Sequence, residues 1–565
     1  MCGITGILNF DSKPVSSLTL KPMLDMIAHR GMDGEGIYID DYVGLGHRRL
    51  AILDVSSKGA QPMVSHDQQW VIIFNGCIYN YPELKLELQS KGHFFNSTCD
   101  TEVICEGLAE YGTKFLERLD GMFAIAAWHK TSKTLWLSRD RYGVKPLYYW
   151  SNGQTFLFSS EVKAFLKHPS FKVRLDYDAL NEYFTFQNIF GFNTLFEGVN
   201  MLPPANTVKI SINDKEVIHN SWWDFDFTEP DEKISEREAI DETKRLLSKA
   251  VAKQMISDVP VGSYLSGGMD SASLSIFASS HVKRLYTFTA GFEMSEVNGI
   301  ESGFDERLDA ELTANFIKSE HYEQVINAGD IKWSLPRVVW HLEDLRVGMS
   351  YPNYYISRLA SKFVKVCLQG TGGYELYGGY PWRYYRVFKS LNSNEFFDNY
   401  YGFWQRLVKD EDKSKLFHPH VSEKMNFEKP RRVFEKVFLF NEKLKYNSPE
   451  EHIQNSLYFE IKTFLPGLLL VGDKLAMANG LEERFPFLDN DLVNFSQKIP
   501  VRYKLGNLEK MKRLDENAVG NKHLLFQQYD DGKNKLMHQN FQAMKILVNW
   551  SCYTRLWNTD LKISK

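Results

Sequence analysis

Six cysteines in 565 residues, at Cys2, Cys77, Cys99, Cys105, Cys367 and Cys552, are too few and too irregularly spaced for a disulfide framework. No CxxC pair occurs, which argues against a structural zinc site, and the 15 histidines include no HxxxH pair, so metal-hydrolase chemistry finds no support. No apolar run approaches the ~20 residues needed to span a bilayer, so no membrane partner is expected. The start, MCGITGILNF, lacks the basic and apolar regions of a secretory signal; the expected location is cytoplasmic. Basic residues are not concentrated anywhere and the formal net charge is −4, which excludes the electrostatic footprint of a nucleic-acid binder. Internal repeats and low-complexity tracts are also lacking.

What remains is the composition of an ordinary globular protein, 43% hydrophobic and 24% charged, in a chain long enough for two or three domains. Residues 1–210 read as β-rich: YVGLGH, WVIIFN, MFAIAAW, TLWLS and TFLFSS are separated by Gly, Asn, Asp and Ser turns. Helical patterns at Leu18–Ala28 and Glu102–Tyr111 interrupt them, giving an α+β layered domain. A polar, acidic stretch over 211–234 reads as a linker. From 235 to 565 the pattern becomes βαβ, with a helix near Ser235–Met255, the strand VPVGSYLS, a helix over Ala272–Ser280, RLYTFTAGF, a helix over Asp305–Ser319 and the strand FVKVCLQG. That rhythm predicts α/β architecture with a doubly wound parallel sheet. The aromatic run YPWRYYRVF reads as packing rather than a stacking surface, because no basic patch accompanies it.

Cys2 becomes the first residue once Met1 is removed. Its own α-amine, with a reference pKa near ~8, can then serve as base to a thiol near ~8.5, so one residue carries nucleophile and base. Seven segments follow in order: HRGMDGEG, LGHRRLAILD, FNGCIYNY, CDTEVI, LDGMFAIAAW, SRDRYGVKPLYY and FSSEVKAFL. Together they resemble the class II glutaminase domain, an N-terminal nucleophile hydrolase with an αββα sandwich. The resemblance implies catalysis by Cys2, with the Asn75 side chain and Gly76 N–H as oxyanion donors. It implies that Arg49 holds the glutamine carboxylate and Asp100 its ammonium, in a site completed by Leu50, Ala51, Ile52, Leu53 and Cys77.

In the second half, SGGMDS (266–271) lies between an apolar strand and a helix, where backbone N–H groups converge on an anion. It is neither a Walker loop nor GxGxxG. It resembles the pyrophosphate loop of ATP pyrophosphatases. The ordered motifs FTAGF, FDERLDAELTANFIKSEHYE, HLEDLRVGMSYPNYY, KVCLQGTGGYELYGGYPWRYY and GLLLVGDKLAMANGLEERFPFLDNDLV extend the likeness to the asparagine synthetase family. This implies ATP held by Leu265, Ser266, Gly267, Gly268, Asp270, Ser271, Ala290, Gln369 and Gly370, with Mg²⁺ on Asp270. It further implies a carboxylate acceptor, aspartate by default, activated as an acyl-adenylate and amidated by ammonia from glutamine. Lys533, in DGKNKLM, would stabilise the developing charge, and a homodimer is expected.

The chain departs from the family pattern at several positions. Cys77 stands where a glutamate that helps bind the glutamine ammonium is usual, so weaker glutamine binding is expected; Met32 for proline and Cys99 for serine are milder departures. Tyr374 replaces the aspartate of GGDEL, a poor exchange for a hard cation, with Glu375 or Asp270 as compensating ligands. Met537 stands where arginine is usual, and the tail beyond it has no counterpart in the pattern. Two other readings stay open: amidation of another carboxylate such as a sugar uronate, and a degraded paralogue with glutaminase activity alone or none.

Overall fold

A computed structural model of the chain describes residues 2–505 other than 12, 213, 215, 295–304, 347–349 and 440. Two six-stranded sheets come first, and every pairing within them is antiparallel. The strand Trp70–Ile78 shows why they stack. Its alternate residues Val71 and Ile73 face inward onto Ile4, Leu8, Val43 and Leu45 of the other sheet, while Trp70, Ile72 and Phe74 face outward. The outward set is covered by the helices Tyr81–Ser90 and Asp100–Tyr111 through Leu84, Leu88, Val103, Ile104 and Leu108. The far face of the first sheet, at Ile7 and Leu157, packs on the helix Ser17–Asp25 through Leu20, Met23 and Leu24. These four layers, helix, sheet, sheet, helix, are the expected αββα sandwich.

The stretch 211–234, read as a linker, is not slack. Strand Glu216–Ser221 pairs with Asn206–Ser211, and Phe225 and Phe227 are buried in a core shared with the second half. The helix Glu236–Gln254 then starts on a capping box, Ser235 with Glu238. Five parallel strands follow, in the spatial order Glu320–Ile326, Tyr286–Phe292, Val261–Tyr264, Val366–Leu368, Glu482–Arg484. The chain runs outward one way from Val261–Tyr264 and resumes on its other side at Val366–Leu368. Between those two strands lies the topological switch point of a doubly wound sheet, the crevice where such sheets bind ligands beyond their carboxyl ends. Among the described residues no helix is long and apolar enough to cross a membrane.

The two halves meet through buried charge. Arg30, fully buried, donates to Glu161 at 2.9 Å and to Asp473 of the helix Pro449–Met477 at 2.7 Å. Lys145 reaches the same Asp473 at 3.2 Å. Lys474 pairs with Glu343 at 2.7 Å, and Glu343 also accepts from the backbone N–H groups of Val162 and Lys163. His29, Glu161 and His341 converge closely enough to hold a metal ion. Glu161 is already neutralised by Arg30 and Lys163, which leaves that group an ion-pair hub. Removing Asp473 would strand Arg30 and Lys145 in a dry interface. Asp473→Ala should therefore cost about 3–5 kcal/mol, read as a lower urea midpoint and separate unfolding of the two halves.

Candidate active site

Cys2 begins the strand-bearing N-terminus, and its main-chain nitrogen donates to Asn75 Oδ1 at 2.9 Å. In the chain without Met1 that nitrogen is the α-amino group, so Asn75 orients the intended base. Burial raises the Cys2 thiol, and the Leu50 N–H beside the sulfur works in the opposite direction. The other end of the Asn75 amide, Nδ2, is buried and without a partner among the described residues. Gly76 follows; a Cβ there would lie 2.0 Å from Met122 O, so the strand pair 70–78 and 121–129 closes only with glycine.

Cys2, Arg49, Leu50, Ile52, Leu53, Gly76, Cys77 and Asp100 line one pocket of about 30 Å³, together with Gln61, Glu482 and Arg484. Ala51 lies outside this lining; its N–H is turned onto Asp33 at 2.8 Å. The Arg49 fork is anchored at the rim by the carbonyls of Ser56, at 2.6 Å, and Asp54. Asp100 opens the helix Asp100–Tyr111 and accepts from Ile78 N–H at 3.0 Å; burial pushes its carboxyl up to about 6.

Glu482 and Arg484 were not among the residues singled out in the sequence. They come from the last strand of the parallel sheet and enter the cysteine pocket from the other half of the chain. Arg484 donates to Glu482 at 2.6 Å and to the carbonyls of Gln254 and Ile256 at 2.6 and 2.7 Å, while its Nη2 is buried and unpartnered among the described residues. Cys77 lies in the field of this guanidinium, yet burial dominates and carries its thiol far above the usual range. The LEER tetrapeptide was the available signal, two charges flanking a position in a short strand amid apolar sequence. Only the tertiary fold shows where they point.

At the switch point the loop 265–268 is tied by its own side chains. Ser271 Oγ accepts from Ser266 N–H at 2.9 Å, and Ser266 Oγ accepts from Gly268 N–H at 3.1 Å. Asp270 lies in the first turn of the helix Met269–Ser279, with Gly370 and Gly373 packed so closely that a Cβ at either would fall within 2.9 Å of it. Its Oδ1 is buried and unpartnered among the described residues, and burial together with the nearby Glu375 raises its carboxyl well above the usual range, against the opposing pull of the Tyr374 N–H. Leu265 is buried, its N–H bonded to Phe288 O at 2.9 Å, and Ala290 stands part-buried farther along the neighbouring strand. Gln369 donates its N–H to Arg484 O at 2.8 Å. The Tyr374 ring turns onto Tyr380 at a 5.5 Å centroid spacing, and Gly379 makes room for it. Both Glu375 oxygens are engaged, by Gly372 N–H at 2.9 Å and by the Tyr380 hydroxyl at 2.6 Å. Of the two compensating ligands named above, Asp270 alone offers a free oxygen. Lys533 and Met537 lie outside the described residues.

Residues 1–223 match the family described as glutamine amidotransferase domain, and residues 242–522 match asparagine synthase. The chain is 32% identical over 567 residues to the glutamine-hydrolyzing asparagine synthetase 1 of Bacillus subtilis strain 168, covering 93% of this chain and 85% of that protein. It is 30% identical over 540 residues to synthetase 3 of the same organism, covering 90% and 83%. The chain belongs to the glutamine-hydrolysing asparagine synthetase family. Membership in that family accounts for a cysteine glutaminase pocket and a phosphate loop in one chain.

A carboxyl whose folded pKa lies above its unfolded value of 3.8 costs stability that is absent at low pH and accumulates as pH rises past that value. Asp270→Asn should therefore stabilise the protein at pH 7 by about 1–3 kcal/mol, the cost of one unsatisfied buried group. The gain, measured as a shift in thermal midpoint, should vanish below about pH 4.

Proposed function

We propose that this protein is a glutamine-dependent asparagine synthetase: it hydrolyses glutamine at Cys2 and delivers the ammonia to an acyl-adenylate made from ATP and aspartate, yielding asparagine, AMP and pyrophosphate. One observation carries this reading. The Gln369–Arg484 hydrogen bond joins the wall of the cysteine pocket to the rim of the phosphate loop, so the two half-reactions share adjacent strands.

In the first half-reaction the Cys2 α-amine takes the thiol proton while Asn75 holds that nitrogen. The thiolate attacks the glutamine amide carbon, and the oxyanion forms against Asn75 Nδ2 and Gly76 N–H, a contribution of about 3 kcal/mol for one such donor. Arg49 receives the substrate carboxylate and Asp100 its ammonium. Protonation of the amide nitrogen releases ammonia, and water hydrolyses the thioester to glutamate. In the second half, the N–H groups of 266–268 and the following helix N-terminus receive the ATP phosphates. Asp270 Oδ1 suits Mg²⁺, which when bound neutralises the pyrophosphate leaving group. The acceptor carboxylate attacks the α-phosphorus and pyrophosphate departs; ammonia then attacks the acyl carbon, AMP leaves, and one proton is lost to solvent. A cytosolic location and homodimeric assembly accompany this reading as family expectations.

A second reading, a glutaminase without synthetase activity, is favoured by Tyr374 and by the engagement of both Glu375 oxygens, which leave Asp270 as the one of the two compensating ligands with an open oxygen among the described residues. Pyrophosphate release with ATP, Mg²⁺ and aspartate decides between them. Release should occur with either glutamine or ammonium, and Cys2→Ala should abolish the first while sparing the second. Silence with both nitrogen sources would overturn the synthetase reading.

Glutamine use should also depend on pH through Asp100. Its carboxylate is needed against the substrate ammonium and is lost as pH falls through about 6. The glutamine KM should accordingly rise by up to about tenfold per pH unit below that value. Asp100→Asn should give a high KM that no longer changes over the same range.

A further inference from the structure

Strand alternation turns Glu483 away from the pocket its neighbours enter. Glu482 and Arg484 line the cysteine pocket; Glu483 lies on the opposite face, against the helix Pro449–Met477. It is 2% exposed, and its Oε2 has no hydrogen-bond partner among the described residues. Gln369 Oε1, at the rim of the phosphate loop, is likewise shut from solvent and unpartnered. Both oxygens converge on the space over Gly472: a Cβ there would lie 2.5 Å from Glu483 Oε2 and 3.3 Å from Gln369 Oε1. The Tyr264 phenol lies against the same carboxyl, and its oxygen too is buried. Burial lifts the Glu483 carboxyl to about 7, with Tyr264 and Lys145 opposing the rise.

The place of this group in the fold is as informative as its chemistry. Arg30 Nε donates to the Cys2 carbonyl at 3.2 Å, and the same guanidinium reaches Asp473, the residue after Gly472. On the other side, Gln369 is followed by Gly370, packed on Asp270. The Gly472 cradle is thus linked by direct contacts and chain neighbours to Cys2 on one side and to Asp270 on the other. The cationic groups on the approach are neutralised, Arg30 and Lys145 by Glu161 and Asp473.

We infer that Glu483, Gln369 and Tyr264 form a receiving station for ammonia or ammonium between the glutamine pocket and the phosphate loop, with Glu483 its principal acceptor. Glu483 Oε2 and Gln369 Oε1 accept, while the Tyr264 hydroxyl both donates and accepts; water brings two protons to such a set, ammonia three and ammonium four with a positive charge. Two unmet acceptors, one of them a carboxylate oxygen, therefore suit a nitrogen cation better than water, and unmet acceptors in a dry interior are costly enough to draw such a ligand in. Gly472 supplies the room.

The inference rests on the synthetase reading, and the test separates the two. With the full-length protein, ATP, aspartate and ammonium chloride as the probe, Glu483→Gln should raise the ammonium KM about tenfold, the loss of one charge-assisted contact, with kcat at saturating ammonium little changed. With glutamine, glutamate release should persist while the glutamate-to-pyrophosphate ratio rises above that of the wild type. Gly472→Ala, which favours the helix but fills the cradle, should act in the same direction. Glu483→Val, lacking any buried polar group at that position, repeats the measurement if the glutamine variant folds poorly. A wild type silent with ammonium would overturn the synthetase reading and the station with it. An active wild type whose Glu483 and Gly472 variants keep its ammonium KM and its ratio would overturn the station alone.

Discussion

Burying the Arg30 guanidinium sets the terms for much of this structure. A cation removed from water demands full compensation, and this one obtains it from Glu161 in its own half, Asp473 in the other and the carbonyl of Cys2. The carbonyl contact locates Cys2, and the Asp473 contact locates the long helix that backs the parallel sheet. Because both are made by one planar fork, the position of the cysteine relative to the second half is fixed by geometry rather than by a flexible connection.

The strand Glu482–Arg484 turns that fixed relation into chemistry. Three residues with alternating sides serve two neighbourhoods: 482 and 484 close the cysteine pocket, and 483 faces the helix beside Gly472. The Gln369 N–H bound to Arg484 O carries the register onward to the phosphate loop. Residue 369 thus touches, through backbone and side chain, both the pocket wall and the space behind it.

The parts of the fold legible in the sequence are those governed by local periodicity and turn chemistry. The period-two run WVIIFN became a strand with both faces buried, and the capped helix starting at Ser235 ends within a residue or two of its expected position. Around the site, most of the residues expected to bind glutamine do line one pocket with Cys2, because ordered motifs mark them. Three features could not be read this way. Ala51 belongs to a contiguous run, but the backbone there turns its N–H to Asp33 and takes it out of the lining. Phe225 and Phe227 lie in a polar stretch, and their burial depends on helices hundreds of residues away. Glu482 and Arg484 reach the first pocket only because the last sheet strand is laid against it, a contact across some four hundred residues of chain that no window of sequence contains.

The linker and the charged seam together bear on how such a protein could arise or be rebuilt. Two domains tied by a loose tether can be exchanged like beads, each bringing its own stability. Here neither half closes its own electrical account: Arg30 and Lys145 lean on Asp473, the backbone at Val162 and Lys163 leans on Glu343, and Phe225 and Phe227 complete a core belonging to both. A graft of one half onto a foreign partner would inherit unmatched ions at the seam. For this chain the unit of recombination is the whole pair.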